Sequence, residues 1–299
     1  MSEEFEDRVY GNVTVHFGRH GGKYPHGNSI VVRGSEESLV IDPSLGLVAR
    51  ARAPQADRVV NSHCHEDHIA GNHLYPDAPW HLHEADIHGM QSLDCMMEIY
   101  GFPEPVDRVF RAAVVDQFNY VANPASIAYR DGQVWELGGG VSVRAIHTPG
   151  HTRGHCALLV EPDGLLYIGD IDLSSFGPYY GDAWSDLEDF CETLRRLPEI
   201  EARLWATFHH IGVLEEREQF LLRLDRFSAV IDDRERRLLE FLAEPHTLRE
   251  VGAHRFVYRP KDAIAFAAPV EERSMGQHIT RLIAQGRVRE VEPGRYLAN

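Results

Sequence analysis

The sequence predicts an α/β fold whose strands end in histidines and aspartates. Three observations lead to this prediction. Short apolar runs bounded by glycine, proline and serine dominate the first two-thirds of the chain and are typical of strands. Longer stretches with apolar residues at helical spacing lie between and after these runs. Several of the apolar runs are followed directly by a histidine or an aspartate.

The first third is predicted to be strand-rich. NSIVVRG and SLVIDPS are two strands joined at residues 34–36, and ADRVVNSH is a third strand. WHLHEAD is a short strand, and the helical spacing that follows it ends near Gly101. We expect residues 104–130, which show no clear pattern, to form a long, mobile connection.

The central part predicts five more strands and one helix. The helix is amphipathic and has Ser185 or Asp186 as its N-cap. One hairpin turns at residues 163–164, an Asp-Gly pair that favours a tight turn. The segments, in order, are VWELGGGVSVRAIHTPGHT as a strand pair, HCALLVEPDGLLYIGDI as the hairpin, SDLEDFCETLRRL as the helix and RLWATFHH as the last strand.

The last third of the chain is predicted to be mainly helical. Residues 213–245 have strong helical character up to Pro245, and two shorter helices and a small hairpin turning at residues 293–294 follow. This order is typical of a winged-helix-like module. We therefore predict two domains, residues 1–230 and residues 231–299.

The net charge of the chain indicates which classes of partner it can bind. The 299 residues carry 30 basic and 46 acidic side chains, which gives a formal net charge of −16. Such a surface repels phosphate backbones and disfavours nucleic acid as a partner. We expect a small-molecule substrate, and a homodimer is compatible with the sequence.

The lengths of the apolar runs, the N-terminal residues and the spacing of the cysteines indicate the cellular location and the absence of cysteine-based sites. No apolar run approaches the roughly 20 residues that a membrane span needs, and MSEEFEDR at the N-terminus has no apolar core. We therefore expect a cytoplasmic protein without membrane association. The four cysteines are scattered and form no CxxC pair, which disfavours a disulfide framework and a zinc ribbon.

Side chains that could bind a metal follow the apolar runs one after another. Because strand ends at one edge of a sheet converge, residues far apart in the sequence can share one site. The candidates are Asp42, His63, His65, Asp67, His68, His151, Asp170, His209 and His210.

The spacing within HCHEDH, residues 63–68, suggests two ions rather than one. His63 and His65 point the same way in an extended segment, whereas Asp67 and His68 are adjacent and point differently. Imidazole and carboxylate ligands suit zinc, and also iron or manganese. We therefore predict two divalent ions, zinc being the first choice, with Asp170 available to bridge them.

The order of these motifs resembles the metallo-beta-lactamase superfamily. The resemblance extends over residues 10–212 and depends on HxHxDH at 63–68, TPGHTRGH, the Gly-Asp pair at 169–170 and a late histidine. It implies a four-layer αβ/βα sandwich in which two mixed sheets pack face to face with helices outside. A looser resemblance, in QHITRLIAQGRV and GRYLAN, implies the C-terminal winged-helix-like extension of some hydrolases in the superfamily.

The resemblance also implies a distribution of the ligands between the two ions. The first ion takes His63, His65 and His151, the second takes Asp67, His68 and His209, and Asp170 bridges them. Asp42 then orients the ligand loop. Family members often have a glycine directly after the last histidine, whereas this chain reads FHHIG, so His210 competes with His209.

Other side chains are candidates for the substrate pocket. Tyr179 or Tyr180 could donate a hydrogen bond to a developing oxyanion, with a packed role in their loop as an equal alternative. Tyr24 and Asn28 are further candidates for the pocket wall. We expect Cys64 and Glu66, which lie between the ligands, to point away from the metals.

These residues predict a metal-dependent hydrolase. A hydroxide bridging two ions attacks the substrate, and Asp67 holds or shuttles the proton. An ester, thioester or lactone is the preferred bond. Three alternatives remain at this stage: a phosphodiesterase or nuclease, a redox diiron protein, which His65 disfavours because such proteins usually carry glutamate there, and a non-catalytic metal-containing sensor or effector.

Overall fold

A seven-stranded sheet forms the first half of the structure. The structure, a computed structural model, describes residues 6–299. Neighbouring strands are antiparallel from β1 to β4 and parallel from β4 to β7, and the strand order follows the sequence. The strands are β1 (Asp7–Tyr10), β2 (Val13–His16), β3 (Ser29–Arg33), β4 (Ser38–Ile41), β5 (Arg58–Val60), β6 (Trp80–His83) and β7 (Ile127–Tyr129).

A second, six-stranded sheet has the order β13-β12-β11-β10-β9-β8. Its pairs are antiparallel except β11 and β12, which are parallel. The predicted hairpin turns at residues 163–164, where Gly164 adopts a φ of 67° that favours glycine. The strands are β8 (Val134–Gly138), β9 (Val141–His147), β10 (Cys156–Glu161), β11 (Leu165–Tyr167), β12 (Leu204–Ala206) and β13 (Val213–Leu214).

Six α-helical segments and three short 3-10 helices accompany the two sheets within residues 6–214. The predicted N-cap of α6 is present, because the Asp186 side chain accepts a hydrogen bond from the backbone N–H of Asp189. The segments are α1 (Arg19–Gly22), α2 (Leu45–Val48), α3 (Glu66–Ile69), α4 (Leu93–Tyr100), α5 (Val106–Asp116) and α6 (Leu187–Arg196).

The two sheets and the helices form four layers. Ile30 and Leu39 of the first sheet meet Val143 and Leu158 of the second in one buried cluster between the sheets. Two further clusters lie on the outer faces, one against α4 and α5 and one against α6. Each fully buried aliphatic side chain contributes about 1.5–3 kcal/mol relative to an exposed one. The predicted four-layer sandwich is confirmed.

The prediction of a long, mobile connection over residues 104–130 is wrong. This stretch contains α5 and β7. Phe110 and Val114 of α5 are buried against the first sheet, and β7 extends that sheet by parallel pairing with β6. Apolar residues on the exposed face of α5, including Val109 and Val115, obscured its helical spacing, and β7 has only three residues.

The C-terminal part contains a third, small sheet of order β14-β16-β15. Its helices pack around their own cluster, which includes Leu238, Val251 and Met275. The predicted boundary at residue 231 falls inside α7, which continues across it, and the division into two domains stays a prediction. The elements are α7 (Arg217–Phe241), β14 (His246–Thr247), α8 (Leu248–His254), α9 (Ala267–Ala284), β15 (Val288–Glu292) and β16 (Arg295–Ala298). Within residues 6–299, no helix has both the length and the apolar character needed to cross a bilayer.

Candidate metal centre

The candidate ligands lie on loops that follow strands of both sheets. β5 ends at Val60, and the loop that carries His63 and His65 follows directly, leading into α3. His151 follows β9, Asp170 follows β11 and His209 follows β12. Strand ends of the two sheets therefore bring together the residues that the sequence separates by more than 100 positions.

A first ligand set consists of His63, His65, His151 and Asp170, and one possible ligand atom of each lies within 4.8 Å of the others. His63 Nε2 is 3.0 Å from His65 Nδ1. His151 Nε2 is 3.1 Å from Asp170 Oδ2. The predicted group for the first ion, with the predicted bridging carboxylate, is thus assembled.

A second ligand set consists of Asp67, His68 and His209, with ligand atoms again within 4.8 Å of one another. His209 Nε2 lies 3.0 Å from Asp67 Oδ2. His210 belongs to neither set: its side chain is half-exposed, and its Nε2 lies 3.8 Å from Asp172 Oδ2. Between the two competing histidines, the structure places His209 beside the second set.

The Asp170 carboxylate lies between the two sets. Oδ2 contacts His151 of the first set, and Oδ1 is 2.9 Å from His68 Nε2 and 3.7 Å from His209 Nε2 of the second. The Asp170 backbone N–H donates to His155 Nε2 at 3.3 Å, which fixes the loop. One carboxylate therefore presents an oxygen to each set, which is the geometry that a bridging ligand requires.

The nitrogen of each ligand histidine that points away from the centre has its own partner. His151 Nδ1 donates to Tyr179 O at 2.9 Å, and His209 Nδ1 donates to Gly22 O at 2.7 Å. These backbone acceptors leave Nε2 of both rings as the lone pair that faces the centre. The remaining hydrogen-bonded pairs are His63 Nδ1 with Ser62 Oγ at 3.0 Å and His68 Nδ1 with Asp42 Oδ2 at 2.8 Å. His65 Nε2 lies 3.1 Å from Asp182 Oδ2, an ion-pair contact without hydrogen-bond geometry.

Asp42 is placed as the sequence predicted, behind the ligand loop. Its carboxylate accepts from Ser62 N at 2.7 Å, from Ser62 Oγ at 2.6 Å and from Tyr167 OH at 2.7 Å, in addition to His68. Its backbone is in the left-handed region with a φ of 46°. This conformation is uncommon outside glycine, and in buried surroundings it is maintained by the dense hydrogen bonding of the side chain.

The electrostatics of the centre favour a cation. Burial raises the pKa of Asp170, but His68, His209 and His151 outweigh it and hold that pKa well below its usual range. Burial and the neighbouring histidines lower the pKa of His63, so this ring is neutral. Burial lowers the pKa values of His65, His68 and His209, but the neighbouring carboxylates outweigh it and raise them, so the centre favours positive charge at these rings. A divalent ion would supply that charge in place of the protons.

Two buried polar atoms, one in each ligand set, have no hydrogen-bond partner among the described residues. His151 Nε2 and Asp67 Oδ2 are inaccessible to solvent and form no hydrogen bond of acceptable geometry within residues 6–299. Buried polar atoms without partners are costly in a protein interior. Both point into the ligand sets, so the residues present fit a metal centre.

The predicted pocket tyrosines differ in whether they face the metal centre. Tyr24 lies at the rim, 44% exposed, with its ring centroid 6.3 Å from that of His209. The Tyr179 ring is 5.8 Å from that of His151, and its hydroxyl donates to Asp182 Oδ1 at 2.9 Å. Tyr180 faces away, with its hydroxyl 2.7 Å from His278 Nε2 in the C-terminal part.

Asn28 supports the loops around the centre. It is buried, accepts from Gly18 N at 3.1 Å and donates to Thr207 O at 3.3 Å. Asn28 therefore links the loop after β2 to the segment that precedes His209, instead of lining a pocket. Cys64 packs away from the centre against Met96, as expected.

Four residues near the centre were missed from the sequence. Glu66 was expected to point elsewhere, but it accepts from Tyr24 OH at 2.9 Å and from Tyr100 OH at 2.5 Å, and burial beside Asp67 raises its pKa to about 7. Asp86 accepts from Thr152 Oγ1 and Gly154 N and so secures the His151 loop. Asp182 and Tyr100 contact His65. Glu66 lay within HCHEDH, and Asp182 lay in FGPYYGDAWSD, residues 176–186, the segment that contains the pocket candidates Tyr179 and Tyr180.

Comparison with known proteins agrees with this geometry. The chain is 28% identical over 109 residues to an atrochrysone carboxyl ACP thioesterase of Aspergillus fumigatus, a match that covers 36% of this chain and 33% of that protein. It is 28% identical over 203 residues to an acyl-coenzyme A thioesterase of Bos taurus, covering 59% of this chain and 68% of that protein. The chain thus spans about a third of the length of the first relative.

Solved structures match over almost the whole chain. A metallo-beta-lactamase family protein from Thermus thermophilus has a TM-score of 0.70 at 23% identity, covering 96% of this chain and 99% of that one. A beta-lactamase domain protein from Burkholderia ambifaria has a TM-score of 0.69 at 19% identity, covering 99% of this chain and 94% of that one. The family model described as metallo-beta-lactamase superfamily matches residues 24–226, more than half of the chain. The chain therefore belongs to the metallo-beta-lactamase superfamily.

Proposed function

We propose that this protein is a dinuclear metal-dependent hydrolase that cleaves a thioester of a small molecule. The observation that carries the proposal is the pair of adjoining ligand sets that share the Asp170 carboxylate. Thioester is favoured over ester and lactone because two relatives from different kingdoms are named as thioesterases. Zinc is the first choice of ion because the ligands are five histidines and two aspartates, with iron and manganese as alternatives.

The protein side chains have distinct tasks in such a reaction. Two bound divalent ions would supply Lewis acidity and lower the pKa of water at the centre towards neutrality. Asp67 presents a buried carboxylate oxygen to the centre and can hold a proton there. Tyr24 at the rim has a hydroxyl that already donates to Glu66, so it can contribute to substrate contact through its ring.

The C-terminal part belongs to the same proposal. The order α7, β14, α8, α9, β15 and β16, with β14 pairing to β16, supports a winged-helix-like module. The predicted small-molecule substrate, homodimer and cytoplasmic location stay predictions.

Metal analysis and a substrate panel test the proposed function. Purified protein should bind two divalent ions and hydrolyse acyl-coenzyme A thioesters faster than matched oxygen esters and lactones. Asp67→Asn should reduce turnover by at least about a hundredfold, because it alters a ligand and the proton-holding group together. Arg223→Ala, on the exposed surface of α7, serves as the matched control. Full metal occupancy without turnover of any thioester, ester or lactone would overturn the proposal, and faster cleavage of phosphodiesters would replace it.

A further inference from the structure

We infer that α7 and α9 of the C-terminal part orient the first ligand set through a chain of hydrogen bonds that does not extend to the histidine rings of the second set. The inference deepens the proposed function, because it assigns positioning residues to one half of the proposed dinuclear centre. It depends on a chain of contacts from the two helices, through residues 176–182, to His65 and His151. Residues 176–182 are called the clamped segment below.

The first contact comes from Arg273 on α9. Its Nη1 donates to Gly181 O and to Tyr100 O, both at 2.8 Å, and its Nη2 donates to Gly101 O at 2.8 Å. The guanidinium thereby joins the clamped segment to the C-terminal end of α4. A planar group with several fixed donors is suited to this task, and a lysine could not reproduce it.

Three further side chains hold the clamped segment. Arg234 on α7 donates to Pro178 O at 2.6 Å and to Phe176 O at 2.9 Å, although its side chain is almost fully buried. Gln277 on α9 donates to Tyr180 O at 2.9 Å. Tyr180 OH also lies 2.7 Å from His278 Nε2. Burying an arginine is costly, and Arg234 Nε has no hydrogen-bond partner within residues 6–299, so the acceptors of its two Nη atoms restrict the position of the segment.

The clamped segment in turn holds two of the three histidines of the first set. Tyr179 O accepts the hydrogen bond from His151 Nδ1, and Asp182 Oδ2 lies 3.1 Å from His65 Nε2. Tyr179 OH donates to the other oxygen of Asp182, which fixes that carboxylate. At the end of α4, the Tyr100 ring stacks on the His65 ring at a centroid distance of 5.3 Å. Arg273 therefore acts on His65 from two sides.

The second set is oriented from a different region. His68 Nδ1 has Asp42 after β4 as its partner, and His209 Nδ1 has Gly22 O of the loop after β2. Both partners belong to the first sheet and its loops. Within the described residues, the hydrogen bonds of these two rings contain no member of α7 or α9. The histidines of the two sets consequently take their orienting contacts from different parts of the chain, although the sets share Asp170.

Two variants, each lacking one histidine ligand, allow this inference to be tested by measuring zinc binding alone. His209→Ala disables the second set and leaves the first, whereas His151→Ala disables the first and leaves the second. In the His209→Ala background, Arg273→Ala should weaken zinc binding by about 10–100-fold, the usual effect of removing support for a metal ligand. In the His151→Ala background, the same change should alter zinc affinity by less than about threefold. Affinity is measured by competition with a chromophoric chelator.

The controls separate orientation from unfolding and from catalysis. Arg223→Ala should be silent in both backgrounds, and Gln277→Ala provides a second, milder variant if Arg273→Ala does not fold. Arg273→Lys should recover only part of the zinc affinity, because one ammonium cannot serve all three carbonyls in the same geometry. Equal weakening of both sets, or no weakening of the first, would overturn the inference. Since no substrate is used, failure to find hydrolysis would leave this result unaffected.

Discussion

Two of the regions that contain buried histidines contrast with each other: the ligand loops are suited to a metal and strand β6 is not. The ligand histidines face carboxylates: Asp170 contacts His68 and His151, and with Asp67 it raises the pKa of His209 to about 9, although burial alone lowers it. On β6, His81 and His83 are also buried, but burial lowers the pKa of each to about 4. Burial does not distinguish the two regions. The carboxylates that contact the ligand histidines distinguish them.

The largest expected effect follows from removing the carboxylate that both ligand sets share. Asp170→Ala should lose at least one of the two ions and reduce hydrolysis by more than about a hundredfold, because it removes a direct ligand rather than a support. Elemental analysis after dialysis measures the ions. Asp172→Ala, which removes the neighbouring acid beside His210, is the control. Two ions retained by the Asp170 variant would show that the bridging assignment is wrong.

A second experiment separates the two adjacent histidines of FHHIG. His209→Ala should lose more metal than His210→Ala, because only the His209 ring has a fixed second nitrogen and a carboxylate within 3.0 Å. The two variants are each other's control and are compared by metal content at equal protein concentration. The reverse order would reassign the last ligand to His210.

A smaller effect is expected from the supporting carboxylates. Asp42→Asn should weaken metal binding at the second set by about 10–100-fold, because an amide accepts fewer of the four hydrogen bonds that converge on this side chain. Asp182→Asn should weaken the first set instead. Zinc titration in the single-set backgrounds distinguishes them, and identical behaviour of the two variants would contradict the separation.

The smallest effect concerns the β6 histidines, which belong to neither ligand set. With a folded pKa of about 4, His81 is neutral in the folded chain but protonates near pH 6.5 when unfolded. The unfolded state therefore binds more protons between these values, and stability falls as the pH is lowered from 6.5 towards 4. His81→Gln should reduce this fall by up to about 1 kcal/mol per pH unit. Urea unfolding of metal-free protein at pH 7 and pH 5 measures it. An unchanged pH dependence would refute the neutral state of His81. In a separate measurement, the His81→Gln variant should bind as much metal as the unmodified protein, because this ring is no ligand.

The strand-end ligands could be predicted because local pattern was sufficient. Each follows an apolar run, and the spacing of HCHEDH already separates His63 and His65 from Asp67 and His68. The four-layer sandwich followed from the resemblance that these motifs carry. In both cases the information lies within a few consecutive residues.

The supporting residues could not be predicted because their partners are distant in the sequence. Asp182 reaches His65 across more than 100 positions, and nothing in FGPYYGDAWSD indicates which side chain faces the centre. Tyr180 was a pocket candidate of equal rank with Tyr179, but the two neighbours point to opposite sides, one towards His151 and one towards His278. Tertiary packing makes that choice.

The continuity of α7 has a mechanical consequence. A helix of 25 residues is about 37 Å long. Near its start, Phe220 stacks on Trp205 of β12 at 4.7 Å, and near its end Leu238 belongs to the C-terminal cluster. The helix is continuous between these two packing contacts and therefore joins them rigidly. Rotation of the small β15–β16 hairpin, with the cluster it packs on, against the second sheet would therefore require α7 to bend. Arg234, which holds residues 176–182, lies on this same helix.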